Sequence, residues 1–417
     1  MGDGRRDLDL VLHGATGFTG RLVAEYLLRR LAGSAEAPRW ALSGRSREKL
    51  ERTRDELARA TGVAEASALP LRVADAADDE ALARLASSAR VVCTTVGPYA
   101  RYGSKLVEAC ARSGTDYCDL TGELPWMRRM LDAHQKTAEG SGARIVHSCG
   151  FDSIPSDLGV LLLQQEMERR HGVHATHVKL RVKEIRGGMS GGTAASMLQV
   201  LEEAQEDPAL RRLLEEPYAL DPEGPHPGAD GADPSAPAWD EDFGAWTAPF
   251  VMGVINTRIV RRSHALLGCR WGQSFRYDEA VLTGTGPLGF ARAAALSAGL
   301  GTLRAVGGVR AIRGLLRRLL PEPGEGPSAE VRERGGFDLR LVGVGASPAG
   351  ARLRLRITGD RDPGYGSTAK MLGASALCLA QDPRATGGGF WTPASALGDA
   401  LRVRLEAHAG LAFTLEA

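Results

Sequence analysis

Residues 8–20 read Leu-Asp-Leu-Val-Leu-His-Gly-Ala-Thr-Gly-Phe-Thr-Gly, an apolar run feeding a glycine-punctuated turn and then a helix that starts near Thr19. Gly14, Gly17 and Gly20 stand in GxxGxxG spacing, which lets the backbone turn sharply, approach a pyrophosphate and pack the next helix closely on its strand. With 52 glycines in the chain, the spacing alone decides little. The context decides, because Leu22, Val23, Tyr26 and Leu27 continue as an apolar stripe at helical spacing. The open N–H groups and positive dipole end of that helix suit a diphosphate. Candidate dinucleotide contacts from this turn are Gly14, Thr16, Gly17, Phe18, Thr19 and Gly20.

The second strand, Arg39–Ser43, ends in Gly44-Arg45-Ser46-Arg47. An acidic residue there would hold the ribose 2′-hydroxyl of NAD. Two guanidinium groups and a hydroxyl stand there instead, and a planar guanidinium suits a phosphate. The expected cofactor is NADPH, held mainly by Arg45 with Ser43 beside it. The same arginines also fit the solvated first turn of a helix over 47–60.

Short apolar runs alternate with helical patterns through the first 150 residues, with strands near 8–13, 39–43, 70–74, 90–96, 116–119 and 143–148. The spacing predicts an α/β chain: an N-terminal NAD(P)-binding Rossmann domain, a doubly wound parallel sheet, over 1–150, and a second α+β domain for substrate and dimerisation over 151–417. In such a sheet Asp75 follows the third strand, and Thr95, Val96 and Gly97 follow the fourth, all facing the cofactor. Strands of the second domain are expected at His177–Arg186, Asn256–Arg262, Phe337–Val344 and Arg352–Asp360. Residues 217–249, rich in Pro, Gly and Asp, read as a mobile loop or lid.

Between 280 and 321 the chain has six arginines and no acid. Residues 282–320 therefore read as a basic amphipathic helical segment, with Arg310, Arg313 and Arg317 on one stripe. That pattern suits a membrane surface or an acidic carrier protein, or a helix packed on the protein's own core with a solvated basic side.

A formal charge of +1, with 25% charged and 5% aromatic residues, gives no global field and no stacking platform for nucleic acid. Six cysteines without a CxxC pair read as buried thiols of a reducing cytoplasm. The first ten residues lack an apolar signal core, and no run reaches the roughly 18 apolar residues of a spanning helix. The expected location is the cytoplasm, with peripheral contact at the inner face of the plasma membrane.

Ordered blocks carry a family resemblance: GATGFTG (14–20), LSGR (42–45), TTVGPYARYGSKLVEAC (94–110), YCDLTGE (117–123), CGFDSIPSDLG (149–159), GGMSGGTAAS (187–196), GYGSTAKMLGASAL (364–377) and GGFWTPASALGDAL (388–401). The chain resembles the saccharopine dehydrogenase-like oxidoreductases, most nearly their actinobacterial trans-acting enoyl reductases. The resemblance implies an NADP-binding Rossmann domain with an α+β domain over the nicotinamide. It also implies reduction of a carrier-bound enoyl thioester in polyketide-type lipid assembly, the thioester delivered by the acyl carrier protein of a separate synthase. Two alternatives stay open: a saccharopine-type amino-acid dehydrogenase, and a non-catalytic NADPH-binding protein at lipid surfaces. Saccharopine is polyanionic and would need converging cations, for which Arg181, Lys183 and Arg186 are the candidates.

Enoyl reduction delivers hydride to the β-carbon and needs an acid for the α-carbon. Tyr99 and Asp152 are the candidate catalytic residues. Tyr99 also fits a packing role on the cofactor, and Asp152 or Ser153 also fits a cap ahead of Pro155. Gly187–Ser196 offers N–H groups and hydroxyls for a thioester or phosphopantetheine oxygen, or a tight strand-to-helix crossing. His171, His174 and His177 form HxxHxxH but would not converge on one helical face, so no metal is expected.

Overall fold

Strands β1 (Leu8–His13), β2 (Trp40–Gly44), β3 (Leu71–Val73), β4 (Ala89–Thr94), β5 (Asp116–Cys118) and β6 (Arg144–Val146) lie parallel in the order β6-β5-β4-β1-β2-β3. The computed structural model describes residues 6–187, 199–200, 202–222, 228–306, 326–346 and 350–416. Leu10, Val11 and Leu12 are fully buried, as a parallel sheet covered on both faces requires. The expected strands of the first 150 residues all form, within two residues at their ends. The order reverses between β1 and β4, and the register sets His13 beside both Ser43 and Thr94. In open α/β sheets, ligands bind in the crevice outside such a switch point.

The second sheet uses β7 (Ala175–Arg186), β8 (Ala238–Asp240), β9 (Ala245–Pro249), β10 (Arg276–Gly284), β11 (Gly336–Gly345), β12 (Arg352–Gly359) and β14 (Leu411–Glu416), in the order β14-β12-β11-β7-β10-β9-β8. Only β7 and β10 pair in parallel. Three of the four strands expected here form. The fourth, Asn256–Arg262, is part of the helix Gly253–Leu266. Its β-branched residues pointed to a strand, but Arg258, Arg261 and Arg262 are buried and bond carbonyls of residues 214–220. Tertiary partners override the local preference.

The chain also returns to the first sheet. β13 (Gly389–Trp391) adds to the free side of β6, and the helix Thr368–Gln381, buried over most of its length, packs on β1, β4 and β5. A single division near residue 150 does not anticipate this return. A buried ion pair fastens it: Arg144 donates to Asp116 at 2.5 and 3.0 Å and to the Leu379 carbonyl at 3.0 Å. Arg384 also reaches Asp116, at 3.1 Å. Asp116→Ala strands the Arg144 guanidinium in a dry site, where breaking a buried pair costs about 3–5 kcal/mol. Urea unfolding of that variant should show a loss of this size, and a loss below about 1 kcal/mol would contradict the buried-pair account.

The expected mobile loop is tied down at several of its described residues. Tyr218 Oη accepts from the Asp230 amide at 3.0 Å, Asp230 accepts from Arg261 at 2.6 Å, and Asp233 pairs with Arg258. Acids that read as solvated are paired with buried arginines, and residues 238–240 and 245–249 are strands. In the basic segment, residues 286–306 form one helix. Arg310, Arg313 and Arg317 lie outside the described residues, as do 188–196 of the Gly187–Ser196 block.

Candidate active site

The carboxyl ends of β1 to β5 open into a cleft of about 1440 Å³, walled on its far side by the helix Gly253–Leu266 and by residues such as Ala204, Leu214 and Ala232. Pockets for single small ligands run to roughly 1,000 Å³, so this cleft has room for a dinucleotide and a second ligand.

Gly14 sits at φ +88°, a conformation that disfavours any side chain. The Gly14 and Ala15 amides donate to the Ser43 carbonyl at 2.9 and 3.1 Å, and Gly17 closes the turn onto the Gly14 carbonyl at 3.0 Å. The helix Phe18–Leu31 begins at Gly17 with no side-chain cap and no acid in its first turn. Its first N–H groups and dipole face the cleft with no acid in the helix's own first turn, the arrangement a pyrophosphate needs. Thr95 stitches β4 to this turn, donating from its amide to the His13 carbonyl at 3.0 Å and from its hydroxyl to Gly14 at 3.3 Å. Gly14, Thr16, Gly17, Phe18, Thr19, Gly20, Arg45, Asp75, Thr95, Val96 and Gly97 all line the cleft.

Ser43 does not line it. Its side chain is buried against His13, with Oγ 3.0 Å from Nδ1, so it holds the turn rather than meeting a ligand. His13, which sequence reasoning missed, does line the cleft, and burial pushes its imidazole down to about 4, so it stays neutral at physiological pH. The one available signal was its place just ahead of Gly14.

Of the two arginines after β2, Arg45 lines the cleft. Arg47 turns to Glu51 at 3.7 Å, and Ser46 accepts from the Lys49 amide as a helix cap. Arg45 is exposed, and among the described residues no acid pairs with it. Arg45→Ala should weaken NADPH binding about tenfold or more, the worth of a charge-assisted bond of 1.5–3 kcal/mol, and leave NADH unchanged. Calorimetric titration with both nucleotides reads this directly; equal weakening of the two would remove Arg45 from the 2′-phosphate.

Tyr99 is placed where expected, after β4, but its hydroxyl is already engaged. It donates to the Thr94 carbonyl at 3.2 Å and accepts from the Leu120 amide at 3.4 Å, while the ring packs 5.4 Å from Trp126. Burial raises the phenol above its ordinary range. These contacts hold Tyr99 as a buried strut of the cleft wall with its hydroxyl engaged. Glu123, also missed, caps the short helix Tyr99–Tyr102 by accepting from the Tyr99 and Ala100 amides at 2.8 and 2.7 Å.

Asp152 is half-buried and lines the cleft. It caps nothing: the helix Ile154–His171 starts at Ser153 without a side-chain cap, and the Ser153 hydroxyl donates to Asn256 at 3.3 Å. Burial pushes the Asp152 carboxyl up to about 6. Among the described residues, no cation or hydrogen-bond donor holds it in its charged form. The carboxyl therefore keeps its proton to a higher pH than an ordinary aspartate does.

The far wall is mostly apolar, with Ala204, Leu214, Met252, Ile255, Leu300 and Leu303. Its buried cation, Arg258, is committed to Asp233. Arg181, Lys183 and Arg186 lie elsewhere, paired with Asp240 and Asp278, Asp338, and Glu184 respectively. His177 bonds Asp278 at 2.7 Å in β7, away from His171 at the end of its helix.

Residues 10–146 match the saccharopine dehydrogenase NADP-binding domain. A Mycobacterium tuberculosis protein assigned as a trans-acting enoyl reductase is 44% identical over 414 residues, covering 96% of each chain. The trans-acting enoyl reductase of Mycobacterium bovis is 41% identical over 421 residues, covering 97% of each. Among solved structures, apo saccharopine dehydrogenase (L-Glu forming) from Saccharomyces cerevisiae superposes with a TM-score of 0.53 at 14% identity, over 98% of this chain and 100% of that one, a likeness of fold.

Proposed function

The chain belongs to the trans-acting enoyl reductase family, and we propose on that premise that it is an NADPH-dependent reductase of carrier-bound enoyl thioesters in polyketide-type lipid biosynthesis. One observation carries the proposal: the protonatable Asp152 lies in the same cleft as the glycine turn, with an apolar wall beyond it.

In this proposal the turn Gly14–Gly20 holds the pyrophosphate, Arg45 the 2′-phosphate, and Asp75, Thr95, Val96 and Gly97 border the ribose and nicotinamide ends. NADPH supplies a hydride for the β-carbon. Asp152 gives its proton to the α-carbon, leaves as carboxylate and is recharged from water, so the C=C bond gains one hydride and one proton. The apolar wall receives the acyl chain and keeps water from the enolate. The mostly apolar far wall, where Arg258 is committed to Asp233 and Arg211 bonds the Ala204 and Gln205 carbonyls, speaks against a polyanionic amino acid as substrate. The partner is the acyl carrier protein of a synthase, and the setting is the cytoplasm with peripheral contact at the membrane; a homodimer fits the same proposal. The test is NADPH consumption with an enoyl thioester on a carrier protein, run beside glutamate with a lysine-derived semialdehyde.

A further inference from the structure

The helix Gly286–Val306 is built with its polarity reversed. Against β9 and β10 it buries Gly289, Ala293 and Ser297, spaced by four. A Cβ at Gly289 would stand 2.5 Å from the Gly284 carbonyl carbon, so only glycine permits that approach. The larger apolar side chains point the other way: Leu288 is 63%, Phe290 45% and Leu296 51% exposed. Arg292 is the single charged side chain from 286 to 303. A surface helix ordinarily turns its apolar stripe inward, and each exposed Leu or Phe forgoes favourable burial.

Three further observations say what covers this face. Phe290 meets Trp246 edge-on at 4.9 Å, Trp246 meets Trp239 at 5.8 Å, and Trp239 is 42% exposed, so an aromatic row reaches the surface. No acid occurs in the sequence from 280 to 321. The helix runs about 18 Å from Leu288 to Leu300, and Leu300 and Leu303 line the cleft.

We propose that this face seats on the surface of an anionic bilayer and passes the acyl chain from it into the cleft. The proposal rests on the acyl-substrate reading above. Leucine and phenylalanine with flanking tryptophan and arginine, free of acids, form the composition of an interfacial helix. A second copy would bring arginine-bearing, acid-free faces together across a twofold axis with nothing to offset them. An acidic carrier protein is held through several cations, whereas this face offers one, Arg292, beside three exposed apolar side chains that a bilayer buries. No described helix is long and apolar enough to cross a membrane, so the face lies on the bilayer.

The experiment is co-sedimentation of the full chain with vesicles of phosphatidylglycerol and phosphatidylcholine, and with phosphatidylcholine alone. The variants are Leu288→Glu/Phe290→Glu/Leu296→Glu and a control, Val403→Glu, at a 55% exposed site on another helix. Wild type should sediment with the anionic vesicles, the triple variant at least tenfold less, and the control as wild type, with NADPH titration unchanged in all three. Wild type remaining in the supernatant, or the triple variant sedimenting fully, overturns the proposal. So does a wild-type dimer that becomes monomeric in the triple variant without vesicle binding, which makes the face a contact between copies. Turnover of a short water-soluble enoyl thioester is measured separately; its absence sinks the reductase reading and leaves the vesicle result standing.

Discussion

Gly20→Ala is expected to abolish measurable NADPH binding. A Cβ at this position would stand 2.8 Å from the Gly14 carbonyl carbon and 2.9 Å from the Ala15 Cα, with the Gly14 oxygen closer still. All three are backbone atoms of the turn itself, so no side chain can swing aside. The helix Phe18–Leu31 must move off β1, and its N–H groups then leave the line along which a pyrophosphate approaches. The NADPH dissociation constant should rise at least about 100-fold, or 2.7 kcal/mol, with a stability loss of about 1–3 kcal/mol from overpacking. Calorimetry beside thermal unfolding separates the two effects. A folded Gly20→Ala protein with undiminished NADPH affinity would show that the turn is not the cofactor site.

Asp152→Asn should lower kcat by about 10²–10⁴, the usual contribution of a positioned acid, with NADPH affinity unchanged. The acid works protonated, so wild-type turnover is full below about pH 6 and falls as pH rises through that value, while the residual rate of Asp152→Asn shows no such limb. The substitution moves stability in the opposite direction from activity. The folded state raises this carboxyl from its ordinary 3.8 to about 6, so it binds the proton more tightly than the unfolded chain does. Its favourable contribution is complete below 3.8 and is lost as pH climbs through 6. At pH 8 the asparagine variant should therefore be more stable than wild type, by at most about 3 kcal/mol. Lost activity with gained stability marks a carboxyl kept strained for function. A variant that keeps its rate, or loses both rate and stability, would place Asp152 among structural residues.

The first sheet was legible because strands buried on both faces leave short apolar runs, such as Leu10–Leu12 and Val91–Cys93, between glycine turns. Its return segment was not. β13 is three residues long, and its place depends on Asp116 meeting Arg144 and Arg384, contacts far apart in sequence. The helix Gly253–Leu266 hid its period because three of its arginines point inward. At the site, the glycine spacing and strand order located the cleft residues together. Sequence could not say which side chains were already engaged. Tyr99 loses its hydroxyl to the Thr94 carbonyl and Leu120 amide, Ser43 to His13, and Ser46 to a helix cap. Asp152 and Arg45 keep their groups in the cleft.

Isotope transfer reports on hydride delivery from NADPH to an enoyl carbon. The protein is incubated with NADPH deuterated at the nicotinamide C4 and an enoyl thioester on its carrier protein, and the acyl product is weighed. One deuterium is expected at the β-carbon, and a second at the α-carbon when the reaction is run in deuterium oxide, from the exchanged Asp152 carboxyl. NADPH that binds but leaves the acyl chain unreduced, or that is consumed only with glutamate and a lysine-derived semialdehyde, would contradict it.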